Sequence, residues 1–142
     1  MSQDRAADVA AELRLQVGRL VRRVRSDDPR PSALTQVLGL LDREGPLTTS
    51  ELAARQRVRP QSMARTVGTL VDEGLVERRT DPGDARKSPL HLSDAGRAAL
   101  DDERERRRDW LAQAVRDELS TEEQELLARS LPLLARLTTW ER

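Results

Sequence analysis

Apolar residues fall at helical spacing along most of this chain. Leu13, Val17, Leu20 and Val24 recur at i, i+4, i+7 and i+11, while Arg14, Arg19, Arg22, Arg23 and Arg25 take the other faces. The pattern predicts an amphipathic helix over about 5–26, broken by Asp27-Asp28-Pro29-Arg30-Pro31. Leu34, Val37, Leu38 and Leu41 predict a second helix over about 32–44, closed by Gly45-Pro46. Thr48-Thr49-Ser50-Glu51 has the form of a capping box, the Thr48 hydroxyl accepting from the Glu51 N–H and the Glu51 carboxylate reaching back to residue 48. It opens a short third helix over about 49–55 that carries Leu52 and Ala53.

After Gln56-Arg57-Val58-Arg59, Pro60 suits the first turn of a fourth helix, because the N–H it lacks is one a helix start leaves unpaired. Gly74 fits that helix's C-terminal cap. The period then changes. Residues 75–80 and 88–92 read as two short strands joined by Asp81-Pro82-Gly83-Asp84-Ala85-Arg86-Lys87, whose proline and glycine predict a turn. Ser93 is placed to cap a long helix over about 94–118. Ser120 with Glu123 forms a second capping box before a last helix over about 121–139, with Leu126, Leu127, Leu131, Leu134 and Leu137. Pro132 is expected to kink that helix rather than break it.

Composition narrows the classes. With 142 residues there is room for one well-buried domain, or for a small lobe plus a helical dimerisation element. Aromatics make up 1%, so the core is built from Leu, Val and Ala, which suits packed helices. The absence of cysteine excludes disulfides, thiolate zinc sites and thiol redox sensing. No stretch approaches the roughly 20 apolar residues that span a bilayer, and the polar start, Ser2-Gln3-Asp4, lacks an apolar signal core. A cytoplasmic location with no membrane partner is the expectation. Net charge is zero, divided as +1 over 1–29, +2 over 30–93 and −3 over 94–142, so charge alone does not argue for nucleic acid.

The third and fourth helices, about four residues apart, have helix-turn-helix length. On the fourth, Met63, Val67, Leu70 and Val71 form an apolar stripe opposite Gln61, Ser62, Arg65, Gly68, Thr69 and Asp72. A recognition helix needs this division, one face buried and short polar side chains presented to base edges. Arg65 can meet guanine O6 and N7, and Gln61 can pair with adenine; Ser62 and Thr69 suit phosphate oxygens, and Gly68 allows close backbone approach. Taken alone, the helix reads equally well as an ordinary amphipathic surface helix. The hairpin tip, Asp84-Ala85-Arg86-Lys87, adds cations on a narrow protrusion of the kind a narrow minor groove attracts, and by itself it reads equally as a solvated polar turn; the helix-turn-helix and the hairpin together are what is specific. Leu131, Leu134, Leu137 and Trp140 run apolar to the C-terminus, where an isolated chain normally frays, which points to burial against a partner subunit, with packing inside a single chain as the alternative.

Leu47-Thr48-Thr49-Ser50-Glu51-Leu52-Ala53, Val58-Arg59-Pro60-Gln61-Ser62-Met63, Glu73-Gly74-Leu75-Val76 and Asp84-Ala85-Arg86 followed by Leu90-His91-Leu92-Ser93-Asp94-Ala95-Gly96 together resemble the MarR family of transcription factors. The likeness covers roughly 31–97 at motif level; Arg59 departs from it, standing where a Ser or Thr cap is common. The resemblance implies a mainly α fold with a small β-hairpin wing (α+β). A winged helix-turn-helix lobe spans 31–93, and 1–30 with 94–142 make a helical dimerisation region. It implies a homodimer on a pseudo-palindromic double-stranded operator, with Arg86 in the minor groove and Asp84 holding the wing. The DNA-binding set is then Thr48, Arg59, Pro60, Gln61, Ser62, Arg65, Thr66, Thr69, Asp84, Arg86 and Lys87; the dimerisation set is Leu13, Val17, Leu20, Leu131, Leu134, Leu137 and Trp140.

Family members bind small, often aromatic effectors, and Trp110 is the residue here that would line such a cleft, beside its plainer reading as core. The charged run from Asp101 to Asp109, with Asp102–Arg106 and Glu103–Arg107 at i, i+4, reads as a solvated helix face. His91 stands without a second ligand at metal spacing, and no nucleophile–base pair or phosphate loop is present, so no metal, cofactor or enzymatic activity is expected. Two functions stay open on the sequence: a DNA-binding regulator, most simply a repressor, and a winged-helix module for protein contact.

Overall fold

The computed structural model describes residues 3–141, so the outermost residues of the expected 1–30 and 94–142 spans lie outside it. Six helices and one hairpin follow in the order α1 (Gln3–Arg25), α2 (Ser32–Glu44), α3 (Thr49–Gln56), α4 (Pro60–Asp72), β1 (Val76–Arg78), β2 (Leu90–Leu92), α5 (Asp94–Glu118) and α6 (Thr121–Thr138). Two compact units divide between Glu105 and Arg106, within α5.

Local chemistry sets most of these boundaries. The Thr48 capping box is formed, with the Glu51 N–H donating to Thr48 Oγ1 at 3.2 Å and the Thr48 N–H donating to Glu51 Oε1 at 3.2 Å. Ser120 and Glu123 repeat it at the start of α6. Gly74, at φ 71°, ends α4 with its N–H on Val71 O and the Leu75 N–H on Leu70 O, a left-handed exit that glycine takes without steric cost. Pro132 lies inside α6 and does not break it. The strands are shorter than the expected 75–80 and 88–92. Leu75 belongs to the exit of α4, and the residues beyond Arg78 enter the wing turn.

The core of the first unit is assembled around α2. Leu34, Val37, Leu38 and Leu41 are buried as the periodicity predicts, but Thr35, Gly39 and Leu40 are buried too. The helix is therefore enclosed on more than one face, as a central helix must be. Leu47, Leu52, Ala53, Met63, Val67, Leu70, Leu75, Val76, Leu90, Ala99 and Leu100 close around it. The hairpin is antiparallel, pairing Val76 with Leu92, Glu77 with His91 and Arg78 with Leu90. Leu47 forms a bridge on the other edge of β2, through its own N–H to Leu90 O at 3.4 Å and the Leu90 N–H to Leu47 O at 2.8 Å. The sequence pattern shows no strand there.

Long-range polar contacts tie the first turns of α5 into this unit. Asp42 of α2 accepts from Arg97 at 2.9 Å and Arg104 at 2.8 Å, and these two guanidiniums, Arg104 foremost, hold its carboxyl below the usual range. Arg30, in the α1–α2 connection, reaches the buried Glu103 at 3.5 Å and Glu73 at 3.7 Å. Gly96 lies under the Leu75 carbonyl, where a Cβ would come within 1.9 Å of the oxygen. In the second unit α6 buries none of its residues, and Leu126, Leu131, Leu133, Leu137 and Trp140 are exposed, Trp140 at 70%.

Candidate nucleic-acid interface

The α4 helix packs on α2, α3 and β1 through Met63, Val67 and Leu70, with Val71 partly covered. This burial turns Gln61, Ser62, Ala64, Arg65 and Thr69 to solvent, as the helical spacing requires. Ala64 was not singled out in the sequence, although the same spacing sets it between Gln61 and Arg65. Pro60 occupies the first turn, and Arg59, the N-cap residue, provides no side-chain cap, as its departure from Ser or Thr suggested.

The hydroxyls on this helix are not equivalent. Thr66 Oγ1 donates to Ser62 O at 3.2 Å and Thr69 Oγ1 donates to Arg65 O at 3.1 Å. Each thus commits its one hydrogen to the helix backbone, and a phosphate oxygen, which only accepts, would have to displace that bond. Ser62 carries no such bond among the described residues. Thr66 is also half-buried.

The wing is stiffened from within. The Asp81 carboxylate accepts from the Gly83 N–H at 2.8 Å and Asp84 from the Arg86 N–H at 3.0 Å, while the Asp81 N–H donates to Lys87 O at 3.0 Å and the Lys87 N–H to Asp84 O at 3.0 Å. These bonds replace ladder pairing in a short turn. They hold Arg86 outward with its side chain 96% exposed, the nearest Asp84 oxygen being 3.8 Å from Nε. The Thr48 N–H and hydroxyl hold the Glu51 carboxyl below its usual range, with smaller help from Arg55 and from Lys87 of the wing. Thr48 itself is occupied in the cap.

The remaining expected residues fall elsewhere. In the first unit Leu13 is half-buried, while Val17 and Leu20 are exposed. In the second, Leu134 and Trp110 are half-buried, while Leu131, Leu137 and Trp140 are exposed. An open, largely apolar hollow of about 370 Å³ is lined by Leu133, Arg136, Leu137 and Trp140, not by Trp110. Among the described residues no acidic, histidine or cysteine cluster could hold a metal, and no helix is long and apolar enough to cross a membrane.

A helix-turn-helix with a hairpin wing bridged to Leu47 defines the winged helix-turn-helix class. The sequence model of the MarR family matches residues 35–87. An uncharacterised HTH-type transcriptional regulator of Mycobacterium bovis is 36% identical over 137 residues, covering 94% of this chain and 95% of that protein. A solved structure from Pseudomonas aeruginosa, described as a transcriptional regulator, is 36% identical, covers 99% of this chain and 100% of that one, and superposes with a TM-score of 0.84. Wild-type MarR from E. coli, at 22% identity, 94% and 97% coverage and a TM-score of 0.64, shares the fold. The chain belongs to the MarR family of transcriptional regulators.

Proposed function

We propose that this chain is a dimeric repressor that binds a pseudo-palindromic double-stranded operator, reading bases with the exposed face of α4 and the minor groove with the wing. The observation that carries the reading is the conjunction of an unoccupied polar face at Gln61, Ser62 and Arg65 with Arg86 held out on a wing braced by Asp84. In this reading 31–93 is the DNA-binding lobe, and 1–30 with 94–142 form the dimerisation region. The exposed Leu131 and Leu137 of α6, Trp140 just beyond it, and Val17 and Leu20 of α1 support it, since apolar helix faces are stable in water when covered. Two-fold symmetry would place the half-sites about one helical turn apart. Relief by a small, often aromatic or phenolic effector is the regulation that the family resemblance implies, with Trp110 as its reporter in a fluorescence titration.

The test is binding to a duplex from the gene's own upstream region across a range of salt. Arg65→Ala relaxes preference at one base pair, losing about 1–3 kcal/mol of discrimination there. Arg86→Ala weakens binding to all sequences more evenly and lowers the salt slope by about 1. Absence of binding at low salt, or binding indifferent to both changes, refutes the reading. It would favour a protein-contact module, to which the zero net charge lends its only support.

A further inference from the structure

The turn between α3 and α4 carries two residues that local stability does not favour. Arg57 lies at φ 53°, in the left-handed region that L side chains enter at a steric cost. Its backbone role is one glycine fills as well: the Arg57 N–H donates to Ala54 O and the Val58 N–H to Ala53 O. Two residues on, Arg59 stands at the N-cap of α4, where a guanidinium, having no acceptor, cannot take a hydrogen bond from the first-turn N–H groups. The chain makes the favourable choice at three other helix ends, although Pro31 leaves α2 without a side-chain cap. Gly74 occupies the left-handed exit of α4, and Thr48 and Ser120 cap α3 and α6.

Nothing inside the fold rewards these two cations. Both residues are exposed, and among the described residues neither guanidinium has an ion pair or a side-chain hydrogen bond. Arg55, by contrast, is held by Glu44 at 2.9 Å. From Leu52 to Val71 the chain has four arginines and no acidic residue, although its net charge is zero. A site that keeps strain and an unmade cap in order to present positive charge is suited to a polyanion.

We infer that Arg57 and Arg59 form a sequence-independent phosphate contact, gripping the DNA backbone while Gln61 and Arg65 read bases. The inference rests on the DNA-binding reading above and adds to it Arg57 and a division of labour along the turn. It predicts opposite signs for stability and binding, which neither an idle surface arginine nor a structural one would give.

Arg57→Gly and Arg59→Ser are to be compared with the parent by thermal unfolding and by anisotropy titration of a mixed-sequence duplex over a range of salt. Each variant is expected to melt about 2–4 °C higher. Each should also bind about five- to ten-fold more weakly near 0.1 M salt, with the salt slope reduced by about 0.9 per protomer for the lost contact. Arg57→Lys, which keeps both charge and the left-handed residue, should retain the slope. Variants that melt higher with unchanged slope overturn the inference, and so do variants that melt lower. Failure of the parent to bind the duplex at low salt is a separate result, visible before any variant is compared, and it removes the DNA-binding reading itself.

Discussion

Replacing Gly96 with alanine should destabilise this protein, although the same change at most helical glycines is stabilising. Alanine at a helical position gains about 1 kcal/mol over glycine. At Gly96, however, the new Cβ would lie 1.9 Å from the Leu75 carbonyl oxygen, whereas ordinary contact begins near 3.4 Å, so the main chain of one partner must move by more than 1 Å. Two hydrogen bonds cross that approach, and the local cap of α5 shares the Ser93 hydroxyl with one of them. The Ser93 N–H donates to Leu75 O at 3.1 Å, the Gly96 N–H donates to Ser93 Oγ at 3.0 Å, and Ser93 Oγ donates to Gly74 O. Losing the two that cross forfeits about 2 kcal/mol at roughly 1 kcal/mol each, for a net loss of about 1 kcal/mol and a fall in Tm of about 2–4 °C. Gly68→Ala is the matched control, because beyond the local helix backbone no heavy atom lies within 4 Å of a Cβ there. It should raise stability by about 0.5–1 kcal/mol. Denaturant unfolding followed by far-UV circular dichroism measures both. A Gly96→Ala variant as stable as the parent, with Gly68→Ala shifted as expected, would refute the reasoning about the Ser93–Gly96 seat.

Thr48→Ala removes the side-chain half of the α3 cap and should lose about 1 kcal/mol of stability in the same assay, with the Glu51 carboxyl rising only part of the way to its ordinary range in an NMR titration, because the residue-48 N–H that lowers it most is kept. Asp42 has a depressed folded-state pKa, so its contribution is present above the unfolded carboxylate value and disappears as pH falls through the folded one. Asp42→Asn should therefore lose about 1 kcal/mol at neutral pH and show a shallower loss of stability on acidification below about pH 4, read from urea midpoints; an unchanged acid limb would argue against the Arg97–Asp42–Arg104 contact. Leu131→Arg, on the exposed face of α6, should shift the sedimentation coefficient from dimer to monomer at micromolar concentration; a variant that sediments as the parent does would remove this face from the proposed interface.

The elements and their order follow from local sequence alone. The caps are chemistry within three or four residues of chain: Thr48 with Glu51, Ser120 with Glu123, and Gly74 with Val71 and Leu70. Such contacts are complete before any tertiary packing, so spacing and residue type suffice to read them. The exposed face of α4 was legible for the same reason, since burying Met63, Val67 and Leu70 leaves Gln61 and Arg65 outside at 100° per residue.

Tertiary structure decided what joins distant parts of the chain. Periodicity gave α2 one apolar stripe, and only its enclosure by α4, the hairpin and the first turns of α5 made it a central helix. The Leu47 bridge, the Asp42 contacts with Arg97 and Arg104, and the Arg30 contacts with Glu73 and Glu103 link residues 43 or more positions apart. Their charges looked like ordinary surface residues in the sequence, because pattern records what each helix face needs and not which neighbour will meet it. Gly96 is the sharpest case. Its sequence neighbours give no reason for a glycine one turn into a helix; the Leu75 carbonyl, brought over it by the fold, does.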